Sequence, residues 1–101
     1  MQLRSRVTPA EIAALAAWTV DPVRQALHRR LQFATFGEAL GAMVRIGVEA
    51  DKEDHHPEWS NVFGTIDIWL TTHDAGGISA RDLALARTID LMFPPKTVTA
   101  V

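Results

Sequence analysis

The chain contains no cysteine, so disulfides, thiolate nucleophiles and zinc–thiolate sites are all excluded. No apolar run approaches the roughly 20 residues that span a bilayer, and the first residues lack a basic segment leading into an apolar, signal-like stretch. A cytoplasmic protein without membrane contact is the resulting expectation. A basic stripe is missing as well: net charge is −2, the pI is near 6.0, and Arg29-Arg30 is the only close basic pair in a hydrophobic context. Binders of the phosphate backbone gather Lys and Arg along one face, so direct nucleic-acid binding is not expected. Repeats and linkers are also absent. What remains, 101 residues of which 48% are hydrophobic and 22% charged, reads as one domain over 1–101 with an ordered core from about 8 to 94. A domain of this size hides about two thirds of its extended-chain surface, which makes self-association a natural further source of stability.

Thr8-Pro9-Ala10-Glu11 opens a helix for local reasons: Thr8 can cap, Pro9 loses nothing at the first helical position, and Glu11 can reach back to the cap. Ile12, Leu15 and Ala16 share a face of this helix, which should end near Trp18, a core anchor. Asp21-Pro22 then marks a turn or the edge of a brief strand. From Ala26 to Phe33 the parity of Leu27, Arg29, Leu31 and Phe33 predicts a strand, with His28 on the polar, solvated face. Phe36, Leu40, Met43, Val44, Gly47 and Val48 recur at steps of three and four, predicting a helix from Phe36 to about Asp54 that buries this stripe and is stopped by Pro57. Val62 to His73 reads as the longest strand, with Val62, Ile66, Ile68 and Leu70 inward. Its other face, which includes Phe63, Asp67 and Trp69, suits either an open site or a subunit contact. Gly76-Gly77 is a turn, and Ser79 caps a last helix with Leu83, Ala86, Ile89 and Phe93 as its buried stripe. Residues 1–7 should fray, and 96–101 are too short for another element.

Packing does not explain the stretch from Asp51 to Trp59, which holds two of the four histidines; a third, His73, follows the main strand. Imidazole titrates near neutrality, so it can take and return a proton without a large bias. Two histidines in one pocket can divide the removal of a hydroxyl group, one protonating the departing oxygen while the other takes a proton from the neighbouring atom. If the helix reaches His55, Asp51 and His55 stand at i and i+4, where the carboxylate can orient the ring. Trp59 or Phe63 can line an aromatic ligand or simply pack in the core. Metal chemistry is the competing reading, since His55, His56, His73, Asp51 and Asp74 are all possible ligands. No His-Glu-x-x-His pattern is present and adjacent histidines tend to diverge, so metal-independent acid–base chemistry fits better. Ser60 and Ser79 lack a nucleophile-elbow context, and Gly76-Gly77 is a weak match to any phosphate loop.

These residues resemble the pterin-4a-carbinolamine dehydratase family, whose pattern is an acidic residue, three spacers, His-His-Pro, five spacers, an aromatic residue, nine spacers, His, and a later Asp. Asp51, His55-His56-Pro57, Phe63, His73 and Asp82 meet it, supported by Trp59, Asn61, Thr72-His73, Gly76-Gly77 and Ser79. The resemblance runs from the first helix to about Phe93. It implies an α+β fold, a four-stranded antiparallel sheet with three helices packed on one face, in a homodimer or homotetramer. It implies dehydration of 4a-hydroxytetrahydropterin to quinonoid dihydropterin plus water, as in pterin recycling, with no cofactor and no metal. By the same resemblance His55 and His73 are the acid–base pair, His56 binds substrate and assists, and Asp51 is the orienting carboxylate. Trp59, Phe63 and Asp74 contact substrate, and Asp82 and Pro57 support the site. Asp51 is one methylene shorter than the glutamate common in relatives. A non-catalytic dimerisation or regulatory module that keeps the fold is the alternative.

Overall fold

The computed structural model describes residues 7–95, and the expectations placed on 1–6 and 96–101 lie outside that range. Helix α1 (Pro9–Ala13) begins with the expected reciprocal cap: the Thr8 hydroxyl accepts from the Glu11 N–H at 3.2 Å, and Glu11 accepts from the Thr8 N–H at 2.9 Å. It ends five residues before Trp18, because the chain then tightens through Leu15 N–H to Ile12 and Trp18 N–H to Leu15 carbonyl bonds. That tightening buries Leu15 and Trp18 and leaves Ala16 outside. Trp18 is the core anchor expected, and its indole N–H donates to Asp90 at 2.9 Å.

Strands β1 (Thr19–Asp21) and β2 (Ala26–Gln32) pair antiparallel, and β3 (Glu58–Val62) and β4 (Thr65–Leu70) complete one antiparallel sheet in the order β1-β2-β4-β3. Val62 to His73 is therefore not a single strand. Phe63-Gly64 is a two-residue turn that folds the segment into a hairpin, with Val62 opposite Thr65. The inward alternation of Ile66, Ile68 and Leu70 stands, but Val62 is exposed on the edge strand. Edge strand β3 was hard to see because only Trp59 and Asn61 turn inward, while Glu58, Ser60 and Val62 face water.

Gly64 is required by space. Phe33 N–H donates to the Gly64 carbonyl at 2.8 Å, and a Cβ on Gly64 would lie 2.2 Å from the Phe33 carbonyl oxygen. Gly64→Ala is expected to destabilise the domain by about 2–3 kcal/mol, the scale of forced overpacking, measured as a fall in the urea midpoint. An unchanged midpoint would show that the junction after β2 yields freely.

Helices α2 (Phe36–Lys52) and α3 (Ala80–Met92) pack on one sheet face and share its core with Leu27, Leu31, Ile66, Ile68 and Leu70. The domain is thus α+β, with two long helices and one short. On α3 Leu83, Ala86 and Ile89 are buried as expected, Leu85 joins them, and Phe93 is half-buried just past the helix. On α2 the expected face is wrong. Ala39, Ala42, Ile46 and Ala50 face the sheet, while Phe36, Leu40, Val44 and Val48 are 48, 46, 60 and 51% exposed. Met43 alone of the bulky set packs partly against the core. Both faces of α2 are apolar, and three of the four buried positions are alanine, which lets the helix backbone approach the sheet closely.

The two adjacent arginines separate onto opposite sheet faces. Arg29 is buried on the core face, where its guanidinium meets Asp90 at 2.5 Å and the Phe93 carbonyl at 2.8 Å. Arg30 lies outside and grips Asp67 at 2.9 and 3.1 Å. His28, expected to be solvated, instead contacts the same carboxylate at 2.8 Å and lies beside Trp69. The Arg30 hydrogen bonds lead in holding the Asp67 carboxyl below its ordinary range; partial burial opposes them and His28 adds to them.

Candidate active site

β3 begins and β4 ends at the same edge of the sheet, since Glu58 pairs with Trp69. The C-terminus of α2, the His55–Pro57 link, the Thr72–Gly77 loop and the N-terminus of α3 therefore meet there. Helix α2 stops before Pro57 has any effect. Asp54 takes a left-handed conformation (φ 53°), its N–H bonds to the Asp51 carbonyl at 3.1 Å, and the His55 N–H bonds to the Ala50 carbonyl at 3.1 Å. This is a Schellman closure with Asp where glycine is usual. It throws His55 back under the helix. The Arg81 guanidinium holds the Asp54 carbonyl from the α3 side.

His55 is thereby buried, 7% exposed, with its Nε2 2.5 Å from Oδ1 of Asp82, which is fully buried. Asp82 is the third residue of α3, where a carboxylate returns to the cap: its Oδ2 accepts from the Ser79 N–H at 2.8 Å and from the Thr72 hydroxyl at 2.8 Å. The residue that reaches His55 is thus Asp82 and not Asp51. Asp51 is exposed and lies 3.5 Å from Nε2 of His56 instead. The i,i+4 expectation fails because the helix unwinds at Glu53, rotating His55 off the Asp51 face.

His73 does not end a strand. It opens a single 3-10 turn, His73–Ala75, closed by Gly76 at φ 77° and by an antiparallel bridge between Thr72 and Gly77. Its ring is 82% exposed, with Nε2 3.6 Å from Glu58 on the neighbouring strand. Glu58 also meets Arg24 at 3.4 Å, and Arg24 lies over the Trp69 ring. Asp74 is exposed in the same turn. Trp59 turns inward, half-buried against the core and Gly47 of α2. Phe63 is not gathered with the others: it sits at the hairpin tip, φ 52°, a strand of five residues, or about 17 Å, from Glu58. Pro57 is half-buried between His56 and β3.

A family model described as pterin 4 alpha carbinolamine dehydratase matches residues 2–92. The chain belongs to that family. A Burkholderia cenocepacia relative, provisionally named a pterin-4-alpha-carbinolamine dehydratase, is 47% identical over 89 residues, 88% of this chain and 87% of its own length. One from Rhodospirillum rubrum, similarly named, is 52% identical over 73 residues, 72% of this chain and 76% of its own. Among solved structures, a transcriptional coactivator/pterin dehydratase from Brucella melitensis superposes with a TM-score of 0.78 at 33% identity, covering 86% of this chain and 97% of that one.

Within this dehydratase-family fold His56 and His73 are exposed at this end of the sheet and His55 is buried. A cavity of about 570 Å³ exists at the opposite end of the sheet, between Leu31, Phe33, Met92 and Phe93, and touches none of them. Its lining is apolar apart from arginines and Gln32, and Arg29 is already paired with Asp90. Among the described residues no group of three or more ligating side chains is placed to hold a metal. Two contributors were not picked out from sequence as site residues: Glu58, hidden inside the motif, and Thr72, whose hydroxyl is visible only once Asp82 is seen to be buried.

Proposed function

We propose that this chain dehydrates a 4a-hydroxytetrahydropterin to the quinonoid dihydropterin, with His55 and His73 moving the protons. The observation that carries the reading is the His55–Asp82 contact, 2.5 Å long and buried, at the sheet edge that also presents His73 and His56. A carboxylate accepting from Nε2 leaves Nδ1 as the nitrogen free to exchange a proton, and it stabilises the imidazolium formed when that nitrogen acts as a base. His55 accordingly takes the proton from the ring nitrogen. The nitrogen electrons form the new double bond to carbon 4a, the carbon–oxygen bond breaks, and His73 protonates the departing hydroxyl, which leaves as water. His56, steadied by Asp51, binds the pterin, with Asp74 and the edge of Trp59 beside it. Glu58 lies 3.6 Å from His73, an exposed contact looser than the buried one between Asp82 and His55.

Titrating the labelled protein with a dihydropterin tests this placement: amide and imidazole resonances of His55, His56 and His73 should shift together. Shifts confined to the cavity near Phe33 and Phe93 would contradict it.

The exposed row Phe36, Leu40, Val44 and Val48, spaced one turn apart on α2, supports self-association of the chain through this helix. Light scattering is expected to give a dimer or tetramer, and Leu40→Glu with Val44→Glu to give a folded monomer. An oligomer that survives the double substitution would place the contact elsewhere. The same row is what a non-catalytic dimerisation or regulatory module would display; such a module forms the complex without accelerating dehydration.

A further inference from the structure

We infer that Thr72 is a positioning residue, whose hydroxyl couples the turn carrying His73 to the carboxylate that holds His55. This rests on the proposed division of labour between the two histidines. Thr72 is 8% exposed, and its oxygen lies 2.8 Å from Oδ2 of Asp82 and 2.7 Å from Oγ of Ser79. A hydroxyl has one hydrogen, and an ionised carboxylate can only accept. Thr72 therefore donates to Asp82, and Ser79 donates to Thr72, while Ser79 Oγ itself accepts from the Arg81 N–H at 3.2 Å. The direction of every bond in the group is fixed as far as His55, whose Nε2 must carry its hydrogen to complete the set.

The backbone of Thr72 is held as firmly as its side chain. Its N–H bonds to the Gly77 carbonyl at 2.9 Å, and its carbonyl receives Gly77 at 3.2 Å and Ala75 at 3.0 Å, closing the turn in which His73 is the next residue. One side chain thus ties the His73 turn to the carboxylate that meets His55. Without the hydroxyl, Asp82 keeps His55 and Ser79, but nothing from the His73 turn reaches it by side chain, so the separation of the two rings loosens. Rates respond steeply to such loosening, whereas a weakly oriented substrate can still bind.

The test compares wild type, Thr72→Val, Thr72→Cys and Thr72→Ser by dehydratase kinetics, and by imidazole nitrogen NMR of the ligand-free proteins. Wild type should show His55 as the Nε2–H form with a slowly exchanging proton. Thr72→Val should lower kcat by roughly tenfold, through loss of the hydroxyl that donates to Asp82 and accepts from Ser79, with KM within about twofold and the His55 proton signal shifted. Thr72→Cys, whose thiol is a poor donor, should fall with valine, and Thr72→Ser should recover most of the rate and the signal. A wild-type His55 protonated at Nδ1 alone overturns the coupling without reference to any variant. So does undiminished kcat in the folded valine and cysteine variants, or a loss that serine fails to rescue. Absence of dehydratase activity in wild type strikes instead at the function, and the ligand-free spectra still report the coupling.

Discussion

Asp82→Ala is expected to remove about 3–5 kcal/mol of stability, because it takes a buried acceptor away from several buried donors at once. Three donors converge on this fully buried carboxylate: the His55 ring, the Thr72 hydroxyl and the Ser79 N–H. Alanine strands the buried His55 and Ser79 donors at about 1–3 kcal/mol apiece, with values that overlap because they share one site, while the Thr72 hydroxyl can turn to Ser79 Oγ 2.7 Å away. The helix α3 capping box is lost with them. Set against a total of about 5–15 kcal/mol for an ordinary domain, this single change takes a large share of the stability. Urea unfolding followed by circular dichroism measures it. A loss below about 1 kcal/mol would mean that the group is wetter, or its contacts weaker, than the geometry indicates.

His73→Ala should do the opposite, leaving stability within about 0.5 kcal/mol of wild type while lowering dehydratase kcat by a factor of about 10² to 10⁴. The ring is 82% exposed and has one carboxylate beside it at 3.6 Å, so almost nothing in the fold depends on it. In the proposed mechanism its value lies in proton transfer to the departing hydroxyl. His55→Ala should lose both, because that ring belongs to the buried network as well as to the chemistry. The contrast separates a reacting group from a structural one: equal activity in folded His73→Ala and wild type would remove His73 from the mechanism.

Much of the frame is legible in residue order. Thr8 and Ser79 announce their helices through the acid three residues on, the parity of Leu27, Arg29 and Leu31 places β2, and the alternation from Thr65 to Leu70 fixes the inward face of β4. The packing topology came from family resemblance and not from periodicity. Two local readings failed for physical reasons. Helix α2 offers two apolar stripes, and bulk pointed to the wrong one; the sheet takes the alanines because close approach needs small side chains. The hairpin escaped notice because Phe63, at φ 52°, occupies a turn position that glycine or asparagine usually signals.

The site divides in the same way. Residue types and spacing single out the His55-His56 pair and His73, and resemblance supplies the reaction. Partners could not be read so directly. Asp51 stands at the helical spacing from His55, yet the left-handed Asp54 turns the chain before that spacing applies, and the carboxylate that His55 meets is 27 residues away. A buried polar contact of that kind is made by the fold as a whole: the Asp54 turn, the Thr72–Gly77 bridge and the α3 cap must all form before His55 and Asp82 touch.

The most direct measurement is the decay of the 4a-hydroxytetrahydropterin absorbance, generated in situ, with and without the wild-type protein. The account predicts a decay rate proportional to protein concentration and a quinonoid dihydropterin product, with the acceleration lost in folded His73→Ala. Decay indistinguishable from the uncatalysed reaction, from a folded wild-type protein, would contradict it and leave the interaction module standing.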